Sequence, residues 1–160
     1  MPSVILCIDD NVAGLYTRKL LLEAKGFRVF TAENGPAGLE LANRESIDVV
    51  ILDYKMPGMD GEAVANKLRS GHPGIFILLL SGVPGELPES LLAIVDGYIL
   101  KGGPLENLIA ELERVTGAKA KPPINQPSTF DTNRKAVARA TDLLQDSTEL
   151  YRKSRKPRKA

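Results

Sequence analysis

Four short apolar runs in this chain are followed at once by a side chain able to do chemistry. "VILCI" runs into Asp9 and Asp10, "DVVIL" into Asp53, "IFILLL" into Ser81 and "GYIL" into Lys101. Three carboxylates gathered in one pocket cannot all stay ionised unless positive charge joins them. A hard cation with oxygen ligands meets that need, and Mg²⁺ is the one usually held by one or two carboxylates together with phosphate oxygens. Asp53 is presented alone, and Pro57, Gly58, Asp60 and Gly61 turn the backbone away just beyond it. A carboxylate so placed can attack a phosphoryl group and become an aspartyl-phosphate. The incoming group carries three charged oxygens. The metal takes one, Lys101 a second, and the Ser81 hydroxyl donates to the third. The breakers at 57–58 turn the main-chain carbonyl of Lys55 back as a further metal ligand, and Asp60 caps the helix that follows.

The elements that would position these groups are legible from apolar patterning. The runs at 4–8, 28–32, 48–52, 75–80 and 97–100 are continuous rather than alternating, as in parallel strands covered on both faces. Between them the spacing predicts helices over 12–25, 35–45, 61–70, 87–95 and 104–115. In the first of these Val12, Leu15, Tyr16, Leu20 and Leu22 to Ala24 form a broad apolar face, with Gly26 as its stop. Pro36, Pro88 and Pro104 fall where a first-turn proline is tolerated. Five strand–helix repeats with short connections predict an open α/β sheet. In such sheets ligands collect at the carboxyl ends of the strands, where strand order reverses. If the first and third strands are neighbours, Asp9, Asp10 and Asp53 share one pocket.

Composition narrows the classes. The chain has 160 residues and 43% apolar content, enough for one ordinary domain and an appendage. Its formal charge of +1 conceals an asymmetry: residues 1–116 hold 10 Lys/Arg and 16 Asp/Glu, net −6, whereas 117–160 hold 11 and 4, net +7. A single cysteine, Cys7, rules out an internal disulfide and suits a reducing compartment. It reads as a small core hydrophobe, and His72, in "GHPG", as a turn residue. The N-terminal run is too short for a signal peptide, and no stretch nears the roughly 20 apolar residues of a membrane helix. A cytoplasmic protein without membrane contact is the expectation.

Beyond Gly117 the texture changes. Residues 117–130 carry Pro122, Pro123 and Pro127 without apolar periodicity, and read as a linker. Extended, it would span about 40 Å at roughly 3.1 Å per residue. A helix capped by Asp131 or Thr132 is predicted next, with Val137, Ala140, Leu144 and Tyr151 on one face. Six of the last nine residues, 152–160, are basic. Three readings stay open: a solvated end, a 131–151 helix docking on the chain's own body or on a partner, and nucleic-acid contact through 152–160. No catalytic output motif is legible.

The motifs "CIDDN", "ILDYKMPGMDG", "LLLSG" and "GYILK", in this order and spacing, resemble the receiver domain of two-component response regulators, the CheY-like family, over about Ser3 to Thr116. The resemblance implies a doubly wound five-stranded parallel sheet of order 2-1-3-4-5 within residues 1–116. It implies Asp53 as phosphoacceptor, Asp10 as a direct Mg²⁺ ligand, Asp9 as a ligand through water and Lys55 through its carbonyl. Ser81 would be the switching hydroxyl, Lys101 the phosphate-contacting lysine and Tyr98 the rotating aromatic. The phosphoryl donor would be a histidine kinase or phosphotransfer protein, with a downstream protein partner reading the result. Such a protein accepts phosphate and slowly sheds it, without turning over an external metabolite. Two features depart from the family pattern. Gly102-Gly103-Pro104 follows the lysine in place of a direct proline, and Ser81 to Tyr98 leaves little room for a long fourth helix. They favour an alternative, a phosphate-independent interaction scaffold on the same fold.

Overall fold

The computed structural model describes residues 1–82, 85 and 87–117; the expected linker beyond 117 and the 131–160 segment lie outside these. Strands and helices alternate without exception: β1 (Val4–Ile8), α1 (Val12–Ala24), β2 (Arg28–Ala32), α2 (Gly35–Arg44), β3 (Val49–Asp53), α3 (Gly61–Gly71), β4 (Phe76–Ser81), α4 (Glu89–Ile94), β5 (Gly97–Leu100) and α5 (Leu105–Gly117). All strand pairs are parallel, in the order β2-β1-β3-β4-β5. The chain therefore winds one way from β1 to β2 and the other way from β1 through β5, and its reversal point lies between β1 and β3.

Because strand side chains alternate, the sheet carries two cores. Ile5, Cys7, Val49, Ile51, Leu78 and Leu80 pack with Leu15 and Leu22 of α1 and Leu108, Leu112 and Val115 of α5. Leu6, Ile8, Val50, Leu52, Ile77 and Leu79 pack on the other face with Ala42 of α2, Val64 and Leu68 of α3 and Leu91 of α4. Each fully buried leucine or isoleucine contributes about 1.5–3 kcal/mol of transfer free energy, which accounts for the burial of Val49 to Leu52 in β3. The continuous apolar runs have this two-sided burial as their cause.

Caps set where the helices begin. The side chains of Asn11, Asn34 and Asp60 accept from the backbone N–H of Gly14, Ala37 and Ala63 at 3.0, 2.9 and 2.9 Å. Asn11 thus starts α1 and leaves Asp9 and Asp10 free of that task. Two expectations need correction. Val12, Tyr16 and Leu20 do not join the inward face of α1: they are 55%, 65% and 49% exposed. Their spacing of four residues traces a stripe separate from the inward pair Leu15 and Leu22. Pro88 is the N-cap of α4 and Pro104 precedes α5, so neither is a first-turn residue; α4 has only six residues, and its start has no side-chain cap hydrogen bond. Among the described residues, no helix is long and apolar enough to cross a membrane.

Candidate functional site: an acidic pocket at the strand ends

Register brings the predicted residues together. Ile8 is level with Leu52, Asp53 with Leu80, and Ser81 with Leu100, so Asp9 comes level with Asp53, and Ser81 and Lys101 follow along the same edge at single-residue steps. Hydrogen bonds just past the strands hold that edge: Asp9 N–H donates to Ala32 O at 3.1 Å, Tyr54 N–H to Leu80 O at 3.1 Å and Lys101 N–H to Ser81 O at 2.8 Å. Continued pairing explains why Asp53 and Ser81 are the last residues of their strands rather than the first of their loops. By the pleat's alternation Asp9 and Asp53 follow Cys7 and Ile51 onto the α1/α5 face. Ser81 follows Ile77 and Leu79 onto the face of Tyr98, α3 and α4.

One carboxylate oxygen from each of Asp9, Asp10 and Asp53 lies within 4.8 Å of the others. Asp9 and Asp53 are buried and Asp10 is exposed. Lys101 reaches across them: its Nζ is 2.9 Å from Asp53 Oδ1 and 3.4 Å from Asp9 Oδ2. The other Asp9 oxygen, Oδ1, accepts from Asn11 N–H at 3.0 Å. Burial pushes the Asp53 carboxyl above the usual carboxylate range; the hydrogen bond from Lys101 opposes this, while the charges of Asp9 and Asp10 add to it. Ser81 and Tyr98 are buried, and burial likewise raises the Tyr98 phenol.

The loop after β3 forms the outer wall. Asp10, Tyr54, Lys55, Met56, Pro57 and Asp60 line a cleft of about 440 Å³. Gly58 takes a φ of +81°, a conformation only glycine adopts freely, and Gly61 N–H closes the loop on Tyr54 O at 2.9 Å. A methyl group on Gly61 would stand 2.7 Å from the carbonyl oxygen of Asp53. Glycine is therefore required where the loop returns beneath Asp53. On the far side, Gly102 at φ +80° and the bond from Gly103 N–H to Leu100 O at 3.3 Å turn the chain after Lys101. The two glycines do not keep that lysine from the pocket.

Hard oxygen donors at this spacing, two of them withdrawn from water, fit a divalent cation such as Mg²⁺. One residue escaped the sequence reading. Arg18 of α1 enters the pocket, its NH2 lying 3.4 Å from Asp9 Oδ2. The available signal was its place three residues after Leu15 and four before Leu22, on the inward face of the helix. His72 is the C-cap of α3, with its ring 2.9 Å from Asn43 Oδ1.

Comparison with known proteins agrees with this geometry. The family model for the response regulator receiver domain matches residues 5–113. The transcriptional regulatory protein GlrR of Escherichia coli K12 is 34% identical over 96 residues, 60% of this chain and 21% of its own length. The probable transcriptional regulatory protein TcrX of Mycobacterium tuberculosis is 30% identical over 156 residues, 94% of this chain and 63% of its own. The chain thus spans less than two thirds of the length of these relatives. The response regulator TrrA of Thermotoga maritima, solved in complex with Mg²⁺–BeF, superposes with a TM-score of 0.67 at 28% identity, covering 71% of this chain and 98% of that one. An acidic trio beside a lysine, at the reversal point of a 2-1-3-4-5 sheet, places the chain in the response regulator receiver domain family of two-component signalling.

Proposed function

We propose that the chain accepts a phosphoryl group on Asp53 from a phosphohistidine of a histidine kinase or phosphotransfer protein. An Asp53 carboxylate oxygen bonds to phosphorus as the donor's P–N bond breaks, and the released imidazole nitrogen takes up a proton. Lys101 then passes from the carboxylate to a phosphoryl oxygen, and the Ser81 hydroxyl donates to another. Asp9, Asp10, Asp53 and the main-chain carbonyl of Lys55 would hold Mg²⁺. When bound, the ion neutralises charge on the transferring group. Movement of Ser81 towards the phosphate draws on the space around Tyr98, so a local charge event biases the α4 side of the sheet. Water slowly removes the group; no external metabolite is turned over. The same reading puts the protein in the cytoplasm, with residues 1–116 as the acceptor unit and a separate protein partner reading the α4 side.

The observation that carries this proposal is the bridge from Lys101 Nζ to Asp53 Oδ1 at 2.9 Å, within a trio of carboxylates. A second reading, a phosphate-independent scaffold, draws on the six-residue α4. Intact mass after incubation with acetyl phosphate separates the two. A single phosphoryl adduct that needs both Mg²⁺ and Asp53, and is absent in Asp53→Asn, is the expected result. No adduct on a folded wild-type chain would hand the lead to the scaffold.

A further inference from the structure

Arg18 occupies a core position. Leu15, Arg18 and Leu22 stand at i, i+3 and i+7 on the inward face of α1, and both leucines are buried. The Arg18 side chain is 15% exposed, and it runs past the buried thiol of Cys7 to Asp9. Its NH2 and the Nζ of Lys101 lie at the same distance, 3.4 Å, from one oxygen, Asp9 Oδ2. Its other terminal nitrogen, NH1, is buried and has no hydrogen-bond partner. The guanidinium also hydrogen-bonds the Cys7 thiol, but its unpartnered NH1 is costly on the inward face of the helix, and an apolar side chain of similar length would pack there without that penalty.

Resting on the receiver reading of the pocket, we infer that Arg18 is a positioning residue that sets the divalent-cation affinity of the site. The trio supplies three carboxylates, where Mg²⁺ is usually held by one or two. Arg18 cancels one of them through Asp9 and fixes that carboxylate. Its approach is from the α1/α5 side, where it lines a groove of about 480 Å³ together with Lys101 and Asp9. The cleft lined by Asp10 and Lys55 is a separate one, and neither Arg18 nor Lys101 lines it. A cation entering by that cleft leaves the guanidinium in place. Lys101 differs, because it is already engaged with Asp53 and passes to the phosphate. Arg18 is thus the cation that stays on Asp9 through the whole cycle, and its fixed charge keeps Mg²⁺ binding weak enough for exchange.

A unit positive charge about 6 Å from a divalent ion weakens its binding about tenfold even at the dielectric constant of water. Calorimetric titration of the full chain with Mg²⁺ tests this without any phosphoryl chemistry. Arg18→Met should bind Mg²⁺ about five- to tenfold more tightly than wild type. Arg18→Lys, which keeps the charge, should stay within about twofold. Arg18→Gln is a second neutral variant, should the apolar one fail to fold, and should tighten binding likewise. Wild type that binds Mg²⁺ while both neutral variants bind equally or more weakly overturns the inference and leaves the receiver reading standing. No uptake by wild type or by any variant overturns both.

Discussion

The two faces of the sheet meet the same acidic edge by different means. On the α1/α5 face Asp9 and Asp53 are held by named polar contacts: Lys101 bridges them, Arg18 and the Asn11 N–H engage Asp9, and α1 starts on a side-chain cap. On the other face, beside Ser81 and Tyr98, α4 has six residues and starts on Pro88 with no side-chain cap. Its anchors are the burial of Leu91 in the core, the exposed Ser90–Glu62 hydrogen bond of 2.8 Å and, at its far end, two hydrogen bonds from the Arg69 guanidinium to Ile94 O at 3.1 and 2.9 Å. A directional bond specifies one geometry, and the first turn of α4 has none from a side-chain cap. The carboxylate side is thus the more firmly tied at the pocket, and the start of α4 the less.

The largest expected effect comes from overfilling the loop behind Asp53, at the start of α3. Gly61→Ala puts a methyl group 2.7 Å from Asp53 O and 2.8 Å from Tyr54 Cα, both backbone atoms that a rotamer change cannot move. Overpacking of this kind costs about 1–3 kcal/mol. Denaturant unfolding should show a loss of that size, with slower phosphorylation of the same variant. A loss below about 0.5 kcal/mol would mean that the loop backs away freely and the acceptor edge is less rigid than its contacts suggest.

The caps come next. Asn11→Ala and Asn34→Ala each remove an oxygen accepting from the first turn of a helix, at a cost of about 1 kcal/mol. The two sites share no partner, so the double variant should lose close to the sum. Asn11→Ala should also loosen the Asp9 side of the pocket, and weaker phosphorylation in that variant than in Asn34→Ala would sharpen the contrast between the faces.

Legibility in the sequence follows the same division. Strands announce themselves because each is buried on both sides and then stops at a polar residue: the step from Leu52 to Asp53 is visible in one dimension. Asp9, Asp10, Asp53, Ser81 and Lys101 are legible because parallel register carries each strand end to one edge. Arg18 is not, because its meaning depends on which of two apolar stripes on α1 faces inwards. Val12, Tyr16 and Leu20 offered an equally good stripe and turned out exposed. An arginine in line with Leu15 and Leu22 reads as solvated until the inward face is known. The brevity of α4 was foreseeable from the prolines and glycines after Ser81, whereas the loss of its cap required the structure.

A smaller effect tests the electrostatics of the carboxylate side. The Asp53 carboxyl is raised above its ordinary range, first by burial. The folded protein therefore binds more protons than the unfolded chain between the ordinary carboxylate pKa and the raised one. Stability from this group falls as pH rises through that window and stays lost above it. Asp53→Asn does not titrate. In Mg²⁺-free buffer its thermal midpoint should match wild type at acid pH and exceed it towards neutral pH. The reverse, a variant less stable at neutral pH, would mean that the ion pair with Lys101 outweighs burial and repulsion from Asp9 and Asp10.

The smallest effect is expected at the start of α4. Pro88→Ser supplies the hydroxyl cap that α4 lacks, a gain of about 0.5–1 kcal/mol if it forms. It also frees the unfolded chain from a fixed φ, a loss of about 0.4–1 kcal/mol. These oppose each other, so the net change in unfolding free energy should lie within about 0.5 kcal/mol. Hydrogen exchange tells the two contributions apart, since a formed cap slows exchange in the first turn of α4 even where global stability is unchanged. Slower exchange there together with altered phosphorylation would show that loose anchoring of α4 is part of the response. A loss of about 2 kcal/mol would instead mean that Pro88 fixes the approach of the chain to α4, and that this face is as firmly determined as the one bearing the carboxylates.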